Sequence, residues 1–82
     1  MRYTEYFGQM VKNFGAPKLN TEQFQRMMNI IHLEGLICGH NNSKNNIVDY
    51  DFRYRQSKSL NELTGRKSPS VLYNELIKMS NL

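Results

Sequence analysis

Residues 57–79 read SKSLNELTGRKSPSVLYNELIKM. Ser59 can cap a short helix through Leu60, Leu63 and Thr64, with Glu62 at the third helical position. Gly65 ends that helix. Ser68 then occupies a second N-cap, and Pro69 the first helical position, where its missing N–H costs nothing. Leu72, Leu76 and Met79 recur as one apolar stripe, widened by Tyr73 and Ile77. Lys78, near the end, suits the helix dipole. The spacing predicts a helical pair over 59–80, joined by a tight basic turn. Such a unit presents a helix to a partner.

Upstream the period changes. Val48, Tyr50, Phe52 and Tyr54 alternate with Asp49, Asp51, Arg53 and Arg55, which is a strand pattern. A helix alternative also stands, since Ile47, Tyr50 and Tyr54 lie at helical spacing. The strand, or an extended segment, is the favoured expectation at 47–55. No second good strand exists in the chain, so a strand here would pair with its copy in another protomer. The preceding run at 39–46, GHNNSKNN, is polar and turn-rich, and is expected as a loop.

The N-terminal part is expected as a helical pair over 3–35. Tyr3, Phe7, Met10, Val11 and Phe14 place one apolar face on a helix over 3–14. Gly15 followed by Pro17 stops it. In Leu19-Asn20-Thr21-Glu22-Gln23-Phe24, Asn20 can cap and Gln23 can return the bond, with Leu19 and Phe24 set for a hydrophobic staple. The second helix is expected from Thr21 to about Glu34, with Phe24, Met27, Met28 and Ile31 buried and Ile30 and Leu33 widening the stripe. Gly35 is its expected end, and Leu36, Ile37 and Cys38 an apolar connector. The whole is therefore expected to be mainly α: one small domain over 1–82 of about four helices, with one possible short strand at 48–55.

A chain of 82 residues buries only about 60% of its unfolded surface, so a dimer would be a natural way to add burial. Cys38 is the sole cysteine and cannot form an intramolecular disulfide. The start, MRYTEYF, lacks the apolar core of a signal peptide, and no apolar run is long enough to span a bilayer. A cytoplasmic protein without membrane insertion is expected. Net charge is +4, and the excess lies in the C-terminal half. Arg53, Arg55, Lys58, Arg66 and Lys67 face a single acid, Glu62, within 53–67, which leans towards an acidic partner.

Chemistry-bearing constellations are incomplete. His32, Cys38 and His40 lack the second close pair that zinc needs. Cys38 with a histidine base is conceivable on paper, but no matched acid–base pair accompanies it. Gly65-Arg66-Lys67-Ser68 has the tail of a phosphate loop, yet Leu60 stands where the first glycine belongs, and a short helix replaces the required strand. The expectation is no enzyme, no metal and no cofactor. A basic helix N-terminus remains a workable anion site for a phosphate or a partner's carboxylate. The candidate contact residues are Arg53, Tyr54, Arg55, Lys58, Arg66, Lys67 and Ser68.

Two resemblances bear on the partner. Residues 48–79, an alternating strand followed by two helices across the GRKSPS turn, resemble ribbon–helix–helix DNA-binding proteins. That resemblance implies a dimer whose paired strands enter the major groove, with Arg53 and Arg55, or Asp49 and Asp51, facing the bases. The stretch 60–76 is similar to a helix–turn–helix, with its first helix and turn short. The second resemblance covers the whole chain. Its length, the stretch LNTEQFQRMMNIIHLEGL at 19–36 and the ending LYNELIKMSNL at 72–82 look like the lysis-inhibition accessory proteins of T-even bacteriophages. It implies a non-enzymatic cytoplasmic co-antiholin that binds the cytoplasmic segment of a holin. A protein partner is thus the first expectation, and a dimeric nucleic-acid binder the alternative.

Overall fold

The structure, a computed structural model, describes residues 2–41 and 50–81, with backbone only at His40, Asn41 and Tyr50. Four helices follow in order: α1 (Tyr3–Phe14), α2 (Thr21–Asn41), α3 (Tyr50–Thr64) and α4 (Pro69–Ser80). The expected mainly α domain is what forms, and no strand occurs among the described residues. The stretch 42–46 of the expected loop, and residues 47–49, lie outside the described residues.

Three expectations are corrected. First, residues 50–55 are the opening turns of α3, which runs unbroken through the short helix expected at 59–64. Phe52, Gln56, Leu60 and Leu63 form a half-buried helical seam that the two-residue alternation had masked. A lone strand would leave its N–H and C=O groups unpaired, whereas a helix satisfies its own. With that strand goes the argument for strand pairing between protomers. Second, α2 does not stop at Gly35; it continues through the expected connector to Asn41, taking in the first three residues of the loop expected at 39–46. A helical glycine costs about 1 kcal/mol, which packing on both sides of α2 outweighs. Third, the buried stripe of α2 is rotated from the apolar one. Gln23, Met27, Ile30 and Glu34 are buried, while Phe24 and Met28 are 51% and 42% exposed. The staple expected from Leu19 and Phe24 therefore has only Leu19 against the core.

The remaining local signals hold in part. Asn20 Oδ1 accepts from the Gln23 N–H at 2.8 Å, as a capping residue should. Gln23 does not complete a capping box: its Oε1 is buried without a hydrogen-bond partner. Gly15, at φ +84°, closes α1, with its N–H on the Val11 carbonyl. On α1, Phe7 is buried and Tyr3, Tyr6 and Met10 flank it, but Val11 and Phe14 turn outward.

α2 is the hub, packing against α1, α3 and α4, while α1 also lies on α4. The core is Phe7 of α1, Met27 and Ile30 of α2, and Leu72, Tyr73 and Leu76 of α4. Tyr73 is its aromatic centre, with ring centroids 5.9 Å from both Tyr6 and Phe7. Burial, and then the neighbouring Tyr6, push its phenol above the ordinary value. Each fully buried side chain of this kind contributes about 1.5–3 kcal/mol. The domain is elongated, 44 × 24 × 20 Å, with a radius of gyration of 13.9 Å, against roughly 12 Å for a compact chain of this length. No buried residue lies beyond Glu34 in the described part of α2 or before Thr64 in that of α3. Those segments form an arm held by half-buried residues.

Helix ends are tied across the fold. Glu34 of α2 is buried, and its carboxylate accepts the Tyr3 N–H at 2.8 Å and the Thr4 N–H at 2.7 Å. Arg2, at the N-cap of α1, offers no cap bond of its own. The Arg26 guanidinium donates to the Leu63 carbonyl at 3.1 Å, at the end of α3. Asn20 N–H donates to Ser80 Oγ at 3.2 Å, joining the start of α2 to the end of α4.

Two outcomes follow from these bonds. Glu34→Ala orphans two N–H groups and should cost about 1–3 kcal/mol in urea unfolding; a change within error would remove Glu34 as the cap of α1. Gln23→Met replaces an unpartnered acceptor by an apolar chain of similar size. It should raise stability by about 1 kcal/mol, read as a higher melting temperature.

Candidate partner-binding site

α3 and the corner after it form the site. α3 ends at Thr64, whose hydroxyl donates to the Leu60 carbonyl at 2.8 Å. Gly65, at φ +63°, turns the chain, and its N–H still reaches the Asn61 carbonyl at 2.9 Å. Arg66 follows at φ +57°, a left-handed conformation that costs a residue with a side chain about 1–2 kcal/mol. Its N–H donates to Thr64 Oγ1 at 3.3 Å, and the Lys67 N–H to the Thr64 carbonyl at 3.3 Å. From the other side Tyr3 Oη donates to the Lys67 carbonyl. The buried Thr64 and the phenol of α1 thus fix the corner from both sides.

A groove of about 390 Å³ lies beside it, lined by Tyr54, Ser57, Lys58, Asn61, Glu62 and Arg66. The first five share one face of α3, at offsets of three, four, seven and eight from Tyr54. Of the seven residues expected from sequence, Tyr54, Lys58 and Arg66 come together here. Arg53 is exposed and does not line the groove, although it lies one turn before Ser57. Arg55 also lies outside the groove, its Nε 3.3 Å from Asp51 Oδ2. Lys67 turns to Glu75 of α4. Ser68 holds the N-cap position of α4 but makes no cap bond; its Oγ is 3.5 Å from Ser70 Oγ. Strand alternation would group Arg53 with Arg55; the helix separates them. Ser57 and Asn61 are absent from the residues expected at the site, and Glu62 was expected only as a helix-start residue and the lone acid among the cations; helical spacing from Tyr54 places all three beside it.

Charge is distributed unevenly around this groove. Among the described residues, the side chains of Lys58 and Arg66 have no hydrogen bond or ion pair. Tyr54 stands 67% exposed beside them. Glu62 lines this groove and also a second one of about 450 Å³ between α2 and α3, with Asn29, His32, Leu33, Ser59 and Leu63.

The histidine and cysteine do not converge. His32 borders the α2–α3 groove, while Cys38 lines a small hollow on the α1 side with Arg2, Glu5 and Glu34. Arg2 Nη1 contacts Cys38 Sγ, and its Nη2 pairs with Glu5 at 2.8 Å. The side chain of His40 lies outside the described residues. Among those residues no group of three or more His, Cys, Asp or Glu could hold a metal ion. No described helix is long and apolar enough to cross a membrane. The chain matches no family model, and neither curated proteins nor solved structures offer a similar chain.

The Lys67–Glu75 pair carries a pH signature. Its hydrogen bond holds the Glu75 carboxyl below the ordinary carboxylate range, against a smaller opposing effect of burial. A depressed native value means the contribution is present above the carboxyl's unfolded value and is lost as pH falls through the native one. Wild type should therefore exceed Glu75→Gln in unfolding stability at neutral pH, and the gap should close in acid. An unchanged gap would place the stabilisation in packing alone.

Proposed function

We propose that this chain is a non-enzymatic regulator that acts by binding a partner protein through the face of α3 and the corner after it. One observation carries the reading: Tyr54, Lys58 and Arg66 line a single groove, and among the described residues neither cationic side chain has a partner. The neighbouring Arg55 and Lys67 are neutralised by Asp51 and Glu75. Unsatisfied charge beside an exposed aromatic is the kind of anchor that interfaces use. The resemblance of 19–36 and 72–82 to T-even phage co-antiholins supplies the best candidate: lysis inhibition in the host cytoplasm, with the cytoplasmic segment of a holin as partner.

The nucleic-acid alternative finds less support. A ribbon–helix–helix needs the strand that α3 replaces. For a helix–turn–helix the first helix is now long enough, at 15 residues. However, the helix that would read the groove, α4, buries Leu72, Tyr73 and Leu76 and carries Lys78 as its only cation.

The purified chain should co-elute with a T-even holin's soluble cytoplasmic segment at tens of micromolar or below. Lys58→Glu with Arg66→Glu should abolish the association while the melting curve stays cooperative. No association, or retention of a DNA fragment with steep salt dependence instead, would overturn the assignment.

A further inference from the structure

We infer that the α3 groove holds a carboxylate of an acidic partner peptide, with Lys58 and Arg66 as the two cationic prongs. The inference rests on the protein-binding reading above and names the chemistry of the occupant. Three observations carry it. Among the described residues the two cations that line the groove have no ion pair, whereas Arg55 and Lys67 on either side have carboxylates of their own. Of the groove's other polar groups, the Ser57 hydroxyl and the Asn61 amide match a peptide's amide groups, and Tyr54 offers an apolar wall. Finally, Arg66 is held at φ +57° by its own N–H on Thr64 Oγ1, at an energetic cost that glycine there would avoid. Backbone strain that the surroundings enforce gathers at sites where it positions a side chain for use.

Glu62 decides between two anions. It lies one turn beyond Lys58 and one turn before Arg66, in the same groove. A continuous phosphate backbone passing both cations would be forced against that carboxylate. A peptide can place one carboxylate between the cations and turn N–H donors towards Glu62. The groove thus favours an isolated carboxylate over a polyanion, through an unfavourable contact built into the wrong complex.

The test is fluorescence anisotropy on the full chain. The probes are a short fluorescein-labelled peptide of Glu and Leu, its Gln isostere, its Lys counterpart and a single-stranded deoxyoligonucleotide. The Glu peptide should bind best, and its Gln isostere about tenfold more weakly, the size of one charge-assisted hydrogen bond. Lys58→Gln and Arg66→Gln should each weaken the Glu peptide by a similar factor, and Glu62→Gln should tighten it. Arg66→Gly separates fold from site: it should raise the melting temperature while weakening the peptide. Equal binding of the Glu and Gln peptides, or indifference to Lys58→Gln and Arg66→Gln, would overturn the carboxylate assignment and leave a protein partner standing. Binding of the oligonucleotide above every peptide, or of no peptide at all, would remove the protein-binding reading together with it.

Discussion

The carboxylate of Glu34, buried in α2, closes the N-terminus of a helix that begins 31 residues earlier. α1 has only 12 residues, and an isolated helix of that length is marginal in water. Arg2 gives it no side-chain cap. The two N–H bonds from Tyr3 and Thr4 satisfy orphan donors and set a negative charge against the positive end of the helix dipole. They also fix where α1 lies. With Tyr3 anchored, Phe7 and Tyr6 meet Tyr73, and the Tyr3 phenol reaches the Lys67 carbonyl. The same bond that starts α1 thereby reaches the corner that presents Arg66.

That corner is built from ordinary parts in an unusual order. Gly65 supplies a positive φ at no steric cost, but Arg66 repeats it with a full side chain. Thr64 makes this tenable, since its hydroxyl gives its proton to the Leu60 carbonyl and accepts one from the Arg66 N–H. Arg26 holds the adjacent Leu63 carbonyl from α2. The corner is anchored by three helices, while the preceding turns of α3 lie on the thinly buried arm. Tyr54 and Lys58 therefore sit on an element that opens at lower free energy than the core, and Arg66 on one that does not.

Much of the chain was legible because its signals are local. The bounds of α1, the Asn20 cap, the Gly65 stop and the Pro69 start each depend on a few neighbouring residues. The misses have one cause. Apolar Phe24 and Met28 look buried, and polar Gln23 and Glu34 look exposed, until the neighbours of α2 are known. Gly35 looks terminal until packing carries α2 past it, and residues 48–55 alternate well enough to hide the helical seam at Phe52. At the site, Tyr54, Lys58 and Arg66 were visible as basic and aromatic types, but with strand geometry assumed they could not be separated from Arg53 and Arg55.

The sequence by itself determined a small helical domain, most of its helix starts and stops, and a basic corner between its last two helices. Hydrogen bonds within a turn and apolar spacing within a helix suffice for that. Tertiary structure alone decided how far α2 and α3 extend, which face of each is covered, and which cations are neutralised. Those depend on contacts such as Glu34 with Tyr3, Arg26 with Leu63 and Lys67 with Glu75. The first two join different helices and the third ties the corner to α4, and no local pattern records the distances between them.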